Sequence, residues 1–230
     1  MAPLTRAGGD VDHRAAAIEF VHPTLGATPV TVSQNAGEEV CEGRDATARW
    51  VWDGASPMAM FLCEHPECVA GKTVVELGCG PGLPGIVAGR LGAKCVVLTD
   101  LPSELELPEA NFINNNLSGE QCSVAPCAWG YDEHCDALGT FNVVLCSDVL
   151  YGHHAEVASA LARTAHKLCE PESGTVLLSY FPREKLEADQ PFFRACEVLF
   201  NDPTPRTVQG CPENVAHDLW FFEYTPKRVA

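Results

Sequence analysis

Apolar residues in this chain fall in short runs, and the runs alternate with stretches of helical spacing. Val74-Val75-Glu76-Leu77, Cys95-Val96-Val97-Leu98, Phe141 to Cys146 and Thr175 to Tyr180 are bounded by turn formers. That is the pattern of parallel strands buried on both faces. Between them, Leu83 to Val87 starts a helix with Pro84 in its first turn, and Gly92 stands where a helix C-cap glycine is expected. Val157, Leu161, Ala165 and Leu168 recur at helical spacing over His154 to Lys167, and a further helix is expected over Glu184 to Cys196. Ser123 to Gly130 reads as another short strand running into a turn.

Ahead of these units, Ile18 to Val21 and Pro29 to Val32 are β-rich and flank a glycine-containing turn, which predicts a small N-terminal β-hairpin. Residues 1–16 read as a flexible leader and 17–230 as one domain. Gln34 to Thr47 is polar and acidic, as in a loop. Arg49 to Ala55 is expected to open a helix running through Leu62, with Ser56-Pro57 as an alternative start. The run Asn111 to Asn116 is expected at the C-terminus of a helix beginning near Pro108, or at Ser103 if the capping-box spacing to Glu106 is used. Two strands close together at the end, one within Val198–Val208 and one over Leu219–Tyr224, suggest a terminal antiparallel hairpin. The predicted fold class is α/β, a doubly wound and mostly parallel sheet.

Charge narrows the partners. The formal net charge is -16 and the basic residues are scattered, so the chain is not expected to bind nucleic acid. An acidic surface steers basic partners such as a lysine-bearing protein segment, and it also simply aids solubility. No apolar run approaches the roughly 20 residues of a membrane span, so no membrane partner is expected. The N-terminus lacks the apolar core of a secretory signal, and the expected location is cytoplasmic, or nuclear. Twelve cysteines at irregular spacing are then expected as reduced thiols, mostly in the core. The groups Cys63/His65/Cys68 and Cys122/Cys127/His134/Cys135 lack the CxxC pairs of a structural zinc site, and no metal is expected. The expected state is a monomer.

The richest stretch runs from Lys72 to Asp100. Gly78, Gly80 and Gly82 alternate directly after the first strand, where a sharp turn and a close ligand approach both require the missing Cβ. Such a turn serves a dinucleotide, whose pyrophosphate meets the helix N-terminus, or S-adenosylmethionine (AdoMet), which carries no phosphate. In either case Asp100, 20 residues after Gly80, suits the ribose hydroxyls. Glu76 favours AdoMet, because a carboxylate there repels a pyrophosphate and suits an amino group. Trp52 is a candidate cofactor wall and Trp50 a packing residue. Trp129, at a strand's carboxyl end, either stacks on an adenine or packs in the core.

Ser147-Asp148-Val149-Leu150-Tyr151 leaves the fourth strand with a carboxylate and a phenol three residues apart. Asp148 suits positioning of substrate and cofactor, and Tyr151 suits shaping of an acceptor channel. The competing reading has Asp148 capping the next helix with Tyr151 packed on it. His153 and His154 follow as candidate proton relays or exposed loop histidines.

VVELGCGPGLPGI, LTD, AWG, SDVLY and the upstream RWVWDGA together resemble the family 16 methyltransferases. These are seven-β-strand AdoMet enzymes that include protein lysine methyltransferases, and the resemblance spans Ile18 to Tyr224. It implies a seven-stranded Rossmann-like methyltransferase sheet with AdoMet contacts at Trp52, Gly78, Cys79, Gly80, Asp100, Trp129 and Ser147. It also links Asp148 and Tyr151 to substrate lysine and catalysis. The implied activity is methyl transfer to a lysine of a protein substrate. A small-molecule or other-residue acceptor, and a non-catalytic AdoMet-binding scaffold, are the alternatives. SDVLY lacks the Asn/Asp-Pro-Pro-Tyr pattern associated with nucleic-acid amino methylation.

Overall fold

A computed structural model describes residues 5–6, 15–34, 46–117, 119–152, 154–183, 186–211 and 213–228. Most of the expected leader, most of the loop expected over Gln34 to Thr47, and His153 lie outside the described residues.

The N-terminal strands β1 (Thr5–Arg6), β2 (Ala17–Phe20) and β3 (Val30–Ser33) form a small sheet, with β2 and β3 antiparallel and β1 parallel to β2. The expected hairpin is therefore present, closed by a 3-10 turn over Pro23–Leu25 and Gly26 at φ 77°. A second 3-10 turn (Ala46–Arg49) precedes α1, which starts at Ala55 and ends at Glu64, not at Arg49. The tertiary structure claims the backbone in between. The Val51 N–H donates to Gln34 Oε1 at 2.7 Å, where a helix would need a carbonyl four residues back.

The remaining elements alternate strand with helix, with α4 and α7 additional to the helices expected: β4 (Thr73–Leu77), α2 (Leu83–Arg90), β5 (Cys95–Asp100), α3 (Glu106–Asn114), β6 (Cys122–Pro126), α4 (Asp132–Leu138), β7 (Val143–Ser147), α5 (Ala155–Leu168), β8 (Thr175–Tyr180), α6 (Leu186–Leu199), β9 (Thr204–Pro205), α7 (Glu213–Ala216) and β10 (Trp220–Tyr224). The central sheet has the order β6-β5-β4-β7-β8-β10-β9. It is parallel from β6 through β8, and β10 is antiparallel to both β8 and β9. Helix α6 continues to Leu199, so β9 is shorter than the stretch expected to hold it. Helix α3 starts between its two candidate starts and ends inside the asparagine run.

Alternation along the buried strands explains the two cores. Val74, Val143 and Leu145 pack on one face with α1, α2 and the small sheet. Val75, Val144 and Cys146 pack on the other face with α5 and α6. Two asparagines fasten the small sheet to this body. Asn111 Oδ1 and Asn115 Oδ1 accept from the Ser33 and Thr31 N–H groups at 2.8 and 3.0 Å, and their amides donate to the carbonyls of the same residues. Asn111 Nδ2 also donates to Pro81 O at 2.9 Å, which ties the glycine turn to the small sheet. Among the described residues no helix is long and apolar enough to cross a membrane.

Candidate active site

The strand order reverses between β4 and β7, and a cavity of about 290 Å³ opens at the carboxyl ends of these strands. Open α/β sheets bind ligands at this switch point because the loops on either side diverge there. Its walls include Trp52, Gly78, Cys79, Gly80, Asp100, Trp129, Ser147, Asp148 and Tyr151. Nine of the ten residues singled out from sequence thus meet in one place; the tenth, Glu76, does not.

At one end, Asp100 closes β5 and reaches back beneath the glycine turn. Its Oδ2 accepts from Gly80 N at 2.9 Å and its Oδ1 from Leu101 N at 2.8 Å, so the carboxylate is oriented before any ligand arrives. Gly78 has φ 62°, and a Cβ on it would come within 3.1 Å of the Trp129 ring. A Cβ on Gly80, at φ 50°, would press on Ala48 O at 3.2 Å. The two glycines therefore serve the close packing of the cavity wall as well as the turn. The Trp129 indole lies half-buried along that wall, beside Gly78.

Glu76 corrects the sequence expectation. It is fully buried and turns away from the cavity toward α2, whose Gly85 N–H donates to its Oε2 at 2.8 Å. Its Oε1 lies 3.5 Å from Ser147 Oγ. The residue alternates onto the helix-covered face of β4, where the partial positive charge of a helix N-terminus is the available partner. Burial pushes its carboxyl up to about 8, against the opposing effect of the Gly85 and Ser147 hydrogen bonds. Gly85 makes the contact possible, since a Cβ there would lie 2.8 Å from Glu76 Oε2. Glu76 braces the glycine turn from below and is not among the residues that line the cavity.

At the other end, Asp148 leaves β7 in the left-handed region, at φ 53°, uncommon for a residue with a Cβ. Its backbone N–H donates to Ser179 O on β8 at 2.8 Å. The carboxylate is buried. Oδ2 takes the Arg183 guanidinium at 2.8 Å and the Gly54 N–H at 3.4 Å, while Oδ1 has no hydrogen-bond partner among the described residues. Burial raises the Asp148 carboxyl above its ordinary range, and Arg183 pulls it back. Gly54 must be glycine here, because its Cβ would lie 2.7 Å from that of Asp148. Ser179 Oγ fixes the Gly54 carbonyl at 2.8 Å. Asp148 does not cap α5, which starts at Ala155.

Arg183, Gly54 and Thr47 were not singled out from sequence. The Arg183 guanidinium lies 5.3 Å from the Trp52 ring centroid, Trp52 Nε1 donates to Thr47 O at 2.7 Å, and Thr47 Oγ1 lies 3.4 Å from the Tyr151 hydroxyl. A chain of contacts, Asp148–Arg183–Trp52–Thr47–Tyr151, thus runs alongside the cavity. Their placement follows from strand order: Asp148 and Arg183 leave neighbouring strands on the same edge, and only the pairing of β7 with β8 makes them adjacent. Of the cysteines, Cys79 lines the cavity, but burial holds its thiol well above the ordinary value and it is not a nucleophile. No group of three or more His, Cys, Asp or Glu among the described residues could hold a metal ion.

Residues 38–198 match the family described as lysine methyltransferase. The chain belongs to this lysine methyltransferase family. Its relatives include the protein N-lysine methyltransferase METTL21A of Danio rerio, 36% identical over 69% of this chain and 71% of that protein. EEF1A lysine methyltransferase 3 of Mus musculus is 32% identical over 72% of this chain and 66% of its own length. Protein N-terminal and lysine N-methyltransferase EFM7 of Candida glabrata is 30% identical over 64% and 60%, so the chain spans less than two thirds of that relative. Among solved structures, the 16S rRNA N2 G1207 methyltransferase RsmC of T. thermophilus superposes with a TM-score of 0.62 over 93% of this chain and 51% of that one, at 20% identity. That likeness shows the shared fold.

The methyl donor of this family is S-adenosylmethionine, and the wall residues fit it. A pre-oriented carboxylate at Asp100 suits a ribose diol, the Trp129 indole offers an apolar face, and the glycines at 78 and 80 leave backbone as the wall.

Proposed function

We propose that this protein transfers methyl groups from S-adenosylmethionine to the side-chain amine of a lysine in a protein substrate, in the cytoplasm. The observation that carries the reading is Asp148, a buried carboxylate on a left-handed backbone with one oxygen unpartnered, bordering the same cavity as Asp100. A buried acceptor without a donor costs about 1–3 kcal/mol, and an incoming N–H group removes that cost. Bound in the cavity, S-adenosylmethionine supplies the methyl group and keeps the electron pair of the broken carbon–sulfur bond.

Turned toward the cavity from its buried position, Asp148 Oδ1 would orient the amine so that its lone pair points at the methyl carbon, the alignment that displacement requires. Asp100 would hold the ribose and Trp129 the adenine end, while Trp52 and Tyr151 would wall the lysine's aliphatic stem. A free lysine is neutral only about once in 2,500 at pH 7, a deficit of roughly 4.6 kcal/mol, so the site must favour the neutral amine. Desolvation between Trp52 and Tyr151 acts in that direction, and the proton leaves to solvent before the new bond forms. Exposed side chains at the mouth, Tyr131 and Val157 with Tyr151, would meet the substrate's main chain, and the net charge of -16 would steer a basic segment toward it. The names of the relatives, protein N-lysine methyltransferase among them, point to the same acceptor.

The test is incubation of the purified protein with methyl-labelled S-adenosylmethionine and a cell lysate, followed by amino-acid analysis of the labelled protein. Label in methyllysine of one or few protein bands is the expected result. Label confined to small molecules would replace the proposed acceptor, and binding without transfer would make the protein a scaffold.

A further inference from the structure

The least explained contact at the acceptor end is the ion pair between Arg183 and Asp148. A substrate-binding carboxylate meant simply to attract an ammonium group has no need of a resident cation, and the cation here is not a surface accident. Arg183 Nη2 sits 2.8 Å from Asp148 Oδ2, the Asp148 side chain is wholly buried, and that of Arg183 is 34% exposed. The guanidinium rests over the Trp52 ring, its Nε is buried, and it is not among the residues that line the cavity. Only one carboxylate oxygen is taken, and the other is buried without a partner among the described residues. A guanidinium could have taken both oxygens in its fork, but here it holds one.

We propose that Arg183 is a positioning residue for methyl transfer: by clamping Oδ2 of Asp148 and offsetting its charge, it leaves Oδ1 to orient the acceptor amine without locking that amine in its ammonium form. The inference rests on the lysine reading above. A bare buried carboxylate beside a lysine stabilises the protonated amine, the wrong form for attack on a methyl carbon. Paired with Arg183, the same carboxylate keeps its geometry and acceptor strength, but the pair carries little net charge toward the substrate.

The other groups around Asp148 do not supply this compensation. Asp53, on the approach to α1, adds like charge, and Gly54 contributes a neutral N–H. On the far side, Tyr180 donates to Asp189 Oδ2 at 2.9 Å, and Asp189 Oδ1 takes the Gly152 N–H at 3.1 Å, so that pair is engaged in holding the loop after Tyr151. Among the described residues, Arg183 is the cation paired with Asp148.

The experiment compares the full-length protein with Arg183→Met and Arg183→Lys. The rate of label transfer from saturating S-adenosylmethionine to the lysate protein that wild type labels most heavily is followed from pH 7 to 10. Arg183→Met is expected to lose at least tenfold in kcat at pH 7, with the loss shrinking as pH rises. The acidic limb of its profile should move about one unit to higher pH, and Arg183→Lys should restore most of the rate and the limb. S-adenosylmethionine affinity, measured by calorimetry, should stay within about threefold and confirms that each variant is folded. A loss equal at every pH, or a profile identical to wild type, would overturn the role given to Arg183 while leaving the methyltransferase reading standing. If wild type itself labels no lysine, that reading fails first and the inference goes with it.

Discussion

The donor end of the cavity is made of neighbours in sequence, and the acceptor end of strangers. Asp100 lies 20 residues from the glycine whose N–H it accepts, and Glu76 only nine from Gly85. At the acceptor end, Asp148 meets Arg183 across 35 residues and Gly54 across 94, and Thr47 reaches Tyr151 across 104. Asp100 and Glu76 are also buried, while Tyr151 and Arg183 are each about one-third exposed. One strand–turn–helix–strand unit therefore supplies the glycine turn and Asp100, whereas the Asp148 end exists only once β7, β8 and the segment before α1 have packed.

The sharpest test of that division is Asp148→Ala. Transfer should fall by a hundredfold or more, about 3 kcal/mol or greater, while S-adenosylmethionine affinity measured by calorimetry stays within a few-fold. An equal loss in both would mean that the two ends are one site.

Next in size is Glu76→Gln, which probes the donor end through stability. The folded carboxyl holds its proton up to about pH 8 while the unfolded one releases it near 4.5. Between those values folding takes up a proton, so the contribution is full below pH 4.5, fades as pH rises and is gone above about 8. Replacing Glu76 by an uncharged amide should recover roughly 3–6 kcal/mol at pH 9 and much less at pH 5. Thermal melts at the two pH values read this directly, and an equal change in Tm at both would refute the buried, protonated carboxyl.

The smallest effect is expected from Trp129→Ala. Loss of its ring face should weaken S-adenosylmethionine binding by about 1 kcal/mol, roughly fivefold in Kd, with little change in kcat at saturation. Unchanged binding would assign the indole to packing against Gly78 alone.

The same division decides what could be read from sequence. The strands, the glycine turn, Asp100 and the Asp148–Tyr151 spacing were legible because each follows from residues close together. The direction of Glu76 was not: β4 is buried on both faces, so alternation does not separate a ligand-facing acid from a helix-facing one, and only the spacing of Gly85 hints at the choice. Arg183 was invisible for another reason. A lone arginine three residues after a strand has no meaning until the neighbouring strand is known. Asn111 and Asn115 lay between these cases. Their run did mark the end of α3, yet their spacing of four also put two amides on one helix face, a signal for the small sheet they hold.

That anchoring has a consequence for anyone trimming the chain. Asn111 grips Ser33 on one side and the carbonyl of Pro81 on the other, and Gln34 likewise joins Ala15 to Val51. A fragment begun at Trp50 would lose Thr47 and Ala48 from the cavity wall, leave Asn111, Asn115 and the Val51 N–H without their mates, and loosen the bend at Pro81. The minimal unit of this fold thus includes a small sheet that does not line the cavity.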